Sequence, residues 1–234
     1  MPQPIPFMPT VACDLDGTIT AGSTWNGMRQ YLVTHGHKRK VRLFDLRNIH
    51  RILIYKLGLN DSPAFKENLV ARFLRVFNGF TADELRTMTE WIADNELVPQ
   101  CYDAVLSELR GFRAKGYRVL ILSGLIEPLP QILAQRLGLS GGLGTKMAFE
   151  NAGDSDRGDS GRGALGWTTT PFNVGPRKAA LLIPYARDGL IHTAYGDSSR
   201  DIPMLEMCHH PVAVNPDAEL RVVAAERGWR ILDT

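Results

Sequence analysis

Apolar runs that stop at polar loops and hand over to helical segments recur along this chain. That order restricts the fold more than any other feature. Residues 9–13 run into Asp14-Leu-Asp-Gly-Thr18, 117–122 into Ser123-Gly124, and 191–195 into Gly196-Asp-Ser-Ser-Arg-Asp201. Short apolar runs bounded by turn residues read as buried strands. Further strands are expected at 143–150, 211–214 and 229–232. Helices are expected from about 128 to 137, closed by Gly138, over 177–186 after Pro176, over 202–207, and over 217–227. Strand, loop and helix in alternation build an α/β fold around a parallel sheet. The loops at the carboxyl ends of such strands open on one edge, where ligands bind.

Between residues 23 and 95 the strand signal disappears. Trp25, Met28, Tyr31 and Leu32 share one helical face. Leu43, Leu46, Ile49, Ile52 and Leu53 suggest a second buried face, and Phe65, Leu69, Phe73 and Val76 a third. Thr81-Ala-Asp-Glu84 is a capping box that starts a helix running through Trp91. Pro99 opens a helix over 100–115, and Gly116 stops it. An all-helical stretch of this length exceeds an ordinary crossover. It is expected to be a separate lid, with 21–96 as a helical cap and 1–20 with 97–234 as the core.

Composition excludes several classes. A net charge of +2 is too small for the whole chain to bind nucleic acid by charge. Cys13, Cys101 and Cys208 are odd in number and lie far apart, which fits buried thiols in a reducing compartment. Residues 1–9 lack the basic and apolar regions of a signal peptide, and no apolar run reaches membrane-spanning length. A cytoplasmic protein is therefore expected. Segment 38–56 carries Lys38, Arg39, Lys40, Arg42, Arg47, Arg51 and Lys56 against Asp45 alone. It admits a membrane-surface helix or an electrostatic lure for anions, but a solvated face of the cap is the reading adopted. Residues 151–163 are nearly free of apolar side chains and read as a mobile loop. Asp154, Asp156 and Asp159 do not have calcium-loop spacing, since Asp159 and Leu165 stand where Gly and Glu are needed. The six histidines show no ligand spacing.

Asp14 with Asp16, Ser123, Lys178, and Asp197 with Asp201 then gather at one sheet edge. Several acids with one lysine and one hydroxyl suit a phosphoryl group held by Mg²⁺, which prefers hard oxygen ligands. A carboxylate can attack phosphorus, and a neighbouring one can move the protons. Lys178 and the metal would neutralise the transferring oxygens.

This ordered set resembles the haloacid dehalogenase-like phosphatase superfamily. Its four motifs are Asp14-Leu-Asp-Gly-Thr18, Ser123 at a strand end, Lys178, and Gly196 to Asp201. Leu143-Gly-Thr-Lys146, Ala213-Val-Asn-Pro-Asp217 and the helical insert resemble the phosphoserine phosphatase branch. The resemblance implies a Rossmann-like parallel core with an inserted α-helical cap. It implies a phosphomonoester hydrolase for a small phosphorylated metabolite, with no nucleic-acid partner. Asp14 would be the nucleophile and Asp16 the general acid/base. Mg²⁺ would be held by Asp14, the Asp16 main-chain carbonyl and Asp197, with Asp201 supporting them. Ser123, Gly124, Thr18 and Lys178 would bind phosphate. Arg72 matches a cap arginine that meets a substrate carboxylate. The glutamate that phosphoserine phosphatases carry after the first motif is missing from 20–26, which argues against phosphoserine. The alternatives are a phosphotransferase or mutase of the same superfamily, and a membrane-surface module with a vestigial site. A dehalogenase would leave Asp16 without a purpose.

Overall fold

The computed structural model describes residues 8–57, 59, 62–149, 164–168 and 171–234. The 151–163 run, with Asp154, Asp156 and Asp159, lies outside the described residues, as do residues 1–7. Strand β1 (Thr10–Asp14) is followed by helices α1 (Thr24–Thr34), α2 (Lys38–Lys56), α3 (Pro63–Leu74) and α4 (Ala82–Ile92). Next come α5 (Asp103–Ala114), β2 (Arg118–Ile126), α6 (Leu129–Leu137), β3 (Gly141–Thr145), β4 (Met147–Phe149) and β5 (Ala164–Thr168). The chain ends with α7 (Pro176–Ala180), β6 (Ile191–Gly196), α8 (Ile202–Leu205), β7 (Cys208–Val214), α9 (Ala218–Arg227) and β8 (Arg230–Leu232).

Six strands form one parallel sheet in the order β3-β2-β1-β6-β7-β8. The connections run outward from β1 in one direction and then resume on its other side. This is the doubly wound Rossmann-like order, whose ligand crevice lies where the direction reverses, here between β1 and β6. Both faces of the sheet are covered, so its strands are apolar throughout. Val11 and Cys13 join Val119 and Ile121 in one core, while Ala12 joins Leu120 and Leu122 in the other. The first core continues into the inserted helices, where Phe73 packs on Trp25 at 4.3 Å, Phe44 at 5.0 Å and Phe77 at 5.8 Å between ring centroids.

The helical insert is tied at its neck. Ala21 N–H donates to the Gln100 carbonyl at 2.9 Å, and Tyr102 N–H to the Ile19 carbonyl at 3.0 Å. The Thr20 hydroxyl donates to the Leu97 carbonyl at 2.8 Å. This pairing holds Cys101 extended, so the helix expected from residue 100 starts instead at Asp103. The Thr81–Glu84 capping box forms, with the Thr81 N–H to Glu84 Oε2 at 2.7 Å and Glu84 N–H to Thr81 Oγ1 at 3.1 Å.

Other expectations are corrected. The single strand over 143–150 is split, because β3 belongs to the main sheet and β4 pairs antiparallel with β5. The helix over 177–186 breaks after Ala180, since Pro184 and the short turn Ile183–Tyr185 follow. The largest difference is α2. Among its described side chains the buried ones are Val41, Phe44 and Asn48, while Leu43, Leu46, Ile49 and Leu53 are 48–71% exposed. The segment is apolar on more than one side. Packing against the Trp25–Phe73 cluster, not periodicity, selects the face carrying Phe44.

Candidate active site

Asp14 is the last residue of β1, and the register Cys13↔Tyr195 sets it beside Gly196, the end of β6. Asp197 is the next residue. Just past Asp16 the chain turns at Gly17, whose φ is +87°. A side chain there would be strained, and its Cβ would strike the Asp197 carboxylate. The Thr18 hydroxyl, fully buried, lies 3.2 Å from Asp14 Oδ2 and 3.4 Å from Asp197 Oδ1. Thr18 therefore braces carboxylates, and it is not part of the cavity wall where a phosphate would sit.

Lys178, from the short helix α7, is buried and ends between two acids. Its ammonium donates to Asp14 Oδ1, and to Asp201 Oδ1 at 2.6 Å. The other Asp201 oxygen accepts from Ser198 N–H at 3.3 Å and from the Ser198 hydroxyl at 3.0 Å. Burial opposes the charge of Lys178, but Asp14 and Asp201 outweigh it and raise the ammonium above its ordinary value. Burial would likewise raise Asp201, yet Lys178 and Ser198 hold its carboxyl below the usual range. Asp14 stays raised by burial, with Lys178 opposing.

Asp14, Asp197 and Asp201 each offer a carboxylate oxygen within 4.8 Å of the others. Lys178 is bonded to two of these three acids, Asp14 and Asp201. Burial, then the charges of Asp14 and Asp201, push Asp197 up to about 8. A divalent cation among these hard oxygens would relieve that repulsion, so the donor set fits Mg²⁺. Asp201 stands in the cluster itself, with both oxygens already engaged. The Asp16 carboxylate is not part of this cluster and is bonded to Thr24 instead.

Asp16 Oδ1 accepts from Thr24 N–H at 2.6 Å and from the Thr24 hydroxyl at 2.8 Å. Thr24 opens α1, whose N-terminal amides favour a carboxylate. Burial pushes Asp16 up to about 6, with the Thr24 hydrogen bonds opposing it and the Asp14 charge adding to it. The two acids of the first motif thus have separate partners, Lys178 for Asp14 and Thr24 for Asp16.

Asp14, Asp16, Ser123, Gly124, Lys178, Asp197 and Asp201 all line one cavity of about 590 Å³. Ser123 is not past a strand end as expected. It lies inside β2, where the register with β3 shifts, and its Oγ accepts from Leu125 N–H at 3.1 Å. That irregularity turns the strand at the cavity. Gly124 sits close to its neighbour, since a Cβ there would lie 2.7 Å from Val174 Cγ1 and that side chain would have to move. Arg72 is not brought into the site. Its Nε donates to Asn68 Oδ1 at 2.8 Å, while Glu67, Leu69 and Val70 are the residues of α3 that line the cavity.

Thr24, Ser198 and the far wall of the cavity were not foreseen from sequence. That wall carries Trp25, Asn26, the ion pair of Arg29 with Asp45 at 2.9 and 2.8 Å, and Glu67, which is held from outside the lining by Arg177 at 2.9 and 3.1 Å. Thr24 had one legible signal, its place after the N-cap Ser23. The ion pairs had none, because their partners lie 16 and 110 residues apart.

A doubly wound sheet with an inserted helical cap and an acid–lysine cluster at its switch point defines a hydrolase of the phosphoryl-transfer type. The family model of the haloacid dehalogenase-like hydrolases matches residues 11–206, so the chain belongs to that family. It is an enzyme of the family's phosphatase kind. It is 30% identical over 236 residues to phosphoserine phosphatase SerB1 of Mycobacterium tuberculosis, covering 98% of this chain and 72% of that one. It is 25% identical over 226 residues to the histidinol-phosphatase of Neisseria meningitidis, covering 94% and 96%. Among solved structures, a protein of unknown function from Bordetella pertussis superposes with a TM-score of 0.74 at 20% identity, covering 97% of this chain and 99% of that one.

Proposed function

We propose that the chain hydrolyses a small phosphomonoester with Mg²⁺, through an aspartyl-phosphate (an acyl phosphate) on Asp14. The observation that carries this reading is the separation of the two acids, Asp14 on Lys178 and Asp16 on Thr24. An Asp14 oxygen attacks phosphorus, and the bond from phosphorus to the leaving oxygen breaks. Asp16 donates its proton to that oxygen, for which a carboxyl raised to about 6 is suited. Asp16 then takes a proton from water, the water oxygen attacks phosphorus, and Asp14 leaves as a carboxylate. Ser123, the amide of Gly124 and Lys178 meet the phosphoryl oxygens. Mg²⁺, held by Asp14, Asp197 and the Asp16 main-chain carbonyl with Asp201 in support, would neutralise those oxygens as the nucleophile approaches.

The cap wall of the cavity selects the leaving group. The relatives named for phosphoserine and histidinol phosphate support a small polar monoester. Ser23, Trp25 and Asn26 occupy the wall after the first motif with no acid among them, and the acids the cap does present there, Asp45 and Glu67, are engaged by Arg29 and Arg177, which argues against phosphoserine itself. The core–cap division at residues 20 and 97 belongs to the same reading. It is supported by the hydrogen bonds between the entering and leaving segments there.

The test is phosphate release from an aryl phosphate and a panel of phosphometabolites, with Mg²⁺, by the native chain and by Asp14→Asn. Loss of turnover to background is expected. Turnover near the native rate would overturn the mechanism, and transfer to added alcohols without phosphate release would reassign the chain to the phosphotransferases.

A further inference from the structure

The outer face of α2 is unlike the rest of the surface. Leu43, Leu46, Ile49 and Leu53 are 48%, 71%, 55% and 51% exposed, and Leu57 and Leu59 just beyond are 68% and 72% exposed. At 3.6 residues per turn the first four fall within an arc of about 120°. Lys38, Arg39, Arg42, Arg47 and His50 are exposed among and beside them. The helix is held from its other side by Val41, Phe44 and Asn48, so the leucines cannot turn inward without emptying that core. Scattered exposed leucines need no explanation, but a contiguous row of this kind does.

Charge identifies the occupant. Segment 38–56 carries seven of the chain's 27 lysines and arginines and one of its 25 acids. Without it, the chain's +2 would become a net negative charge. The single acid of the segment, Asp45, gives both oxygens to Arg29, so no acid within the segment offsets its other cations. A second copy docking by the same face would bring these cations onto one another, since a two-fold contact is self-complementary. A nucleic acid would match the cations but leave the leucines in water. An anionic lipid surface answers both. Leucines enter the acyl boundary, and arginines reach outward along their stems to the phosphates.

We propose that the outer face of α2 is a membrane-docking surface for anionic phospholipid bilayers. The inner flank of the same helix, through Asp45 and Ile52, lines the catalytic cavity. Docking therefore holds the cavity close to the bilayer surface, with only the thickness of α2 between them. The enzyme so placed draws on phosphomonoesters held near an anionic membrane.

The experiment uses the full chain with sedimented vesicles, either phosphatidylcholine alone or phosphatidylcholine with 30 mol% phosphatidylserine, about a third of the lipid as in strongly anionic surfaces. Binding is expected only to the anionic vesicles and should weaken as salt rises. Arg42→Gln with Arg47→Gln should lower the apparent affinity roughly 25-fold, about five-fold per cation. Leu46→Gln with Leu53→Gln should lower it by at least ten-fold, from the lost burial of two leucines. These four residues lie outside the catalytic cavity, so turnover of a soluble aryl phosphate and the melting temperature should stay unchanged. Absence of binding to anionic vesicles, or equal binding to both compositions, would overturn the proposal. So would a native dimer in sedimentation equilibrium that Leu46→Gln with Leu53→Gln dissociates, because the face would then belong to a second copy. Binding to a DNA or RNA fragment that exceeds vesicle binding, and that ignores the leucine changes, would overturn it as well.

Discussion

Replacing Thr24 by valine removes one hydroxyl from Asp16 and nothing else of that shape. Thr24 is fully buried, and valine has the same branched outline, so packing is retained. The hydroxyl donates to Asp16 Oδ1 at 2.8 Å, and the Thr24 amide at 2.6 Å stays in place. A hydrogen bond to a charged group contributes about 1.5–3 kcal/mol, and the surviving amide puts the loss at the lower end. For a chain of this size, about 1.5 kcal/mol lowers the melting temperature by about 3–6 °C. If the same amount is lost in the transition state, kcat falls about ten-fold. The leaving group separates positioning from simple instability. An alkyl phosphate needs a proton on its departing oxygen, while a p-nitrophenyl phosphate scarcely does. Thr24→Val should therefore slow the alkyl ester more than the nitrophenyl ester, and Thr24→Ser should restore most of the difference. Equal losses on both esters, or no rescue by serine, would refute the role given to the Thr24–Asp16 pair.

The remaining predictions concern the metal, the cap and the sheet. Mg²⁺ should raise the melting temperature of the native chain, by about 2.7 kcal/mol of stability at a hundred times its dissociation constant; Asp197→Asn should abolish that rise, and a full rise in the variant would remove Asp197 from the metal site. Phe73→Ala should cost about 3–5 kcal/mol, because Phe73 is fully buried amid Trp25, Phe44 and Phe77, and a denaturant melt that moves by less than about 1 kcal/mol would show a cap that refills the space. Glu108 receives Tyr195 Oη at 2.7 Å and Arg230 Nη1 at 2.9 Å, and these hydrogen bonds hold its carboxyl below the ordinary 4.5. A lowered folded value contributes stability above pH 4.5 that is lost as pH falls through the folded value. Glu108→Gln should thus melt below the native chain at pH 7, with the gap closing in acid, and a gap that does not change with pH would contradict this.

The comparison of sequence with structure divides according to the range of the forces involved. The first motif was legible because an apolar strand, two acids and a glycine are a local pattern, and the glycine is needed where φ is +87°. The Thr81–Glu84 box was legible because its two hydrogen bonds join residues three apart. The parallel α/β architecture followed from the alternation of such local units. Sequence order also placed Ser123, Lys178 and Asp197 where an open sheet collects its ligands.

The tertiary structure decided what those residues touch. Lys178 reaches Asp14 across 164 positions, and that contact turns a helix lysine into the counter-charge of the candidate nucleophile. Arg72 matched a motif yet faces Asn68, because the rotation of α3 is set by the core residues Leu69 and Phe73. The same physics decided α2. Its residues offer two apolar faces, and periodicity cannot choose between them. Aromatic packing took Phe44 inward, which sent Leu43, Leu46, Ile49 and Leu53 out among the arginines. By itself the sequence determined the fold class and the order of the chemical groups, through short-range backbone preferences. Which group opposes which charge, and which face of a helix meets solvent, was settled only by contacts between segments distant in the chain.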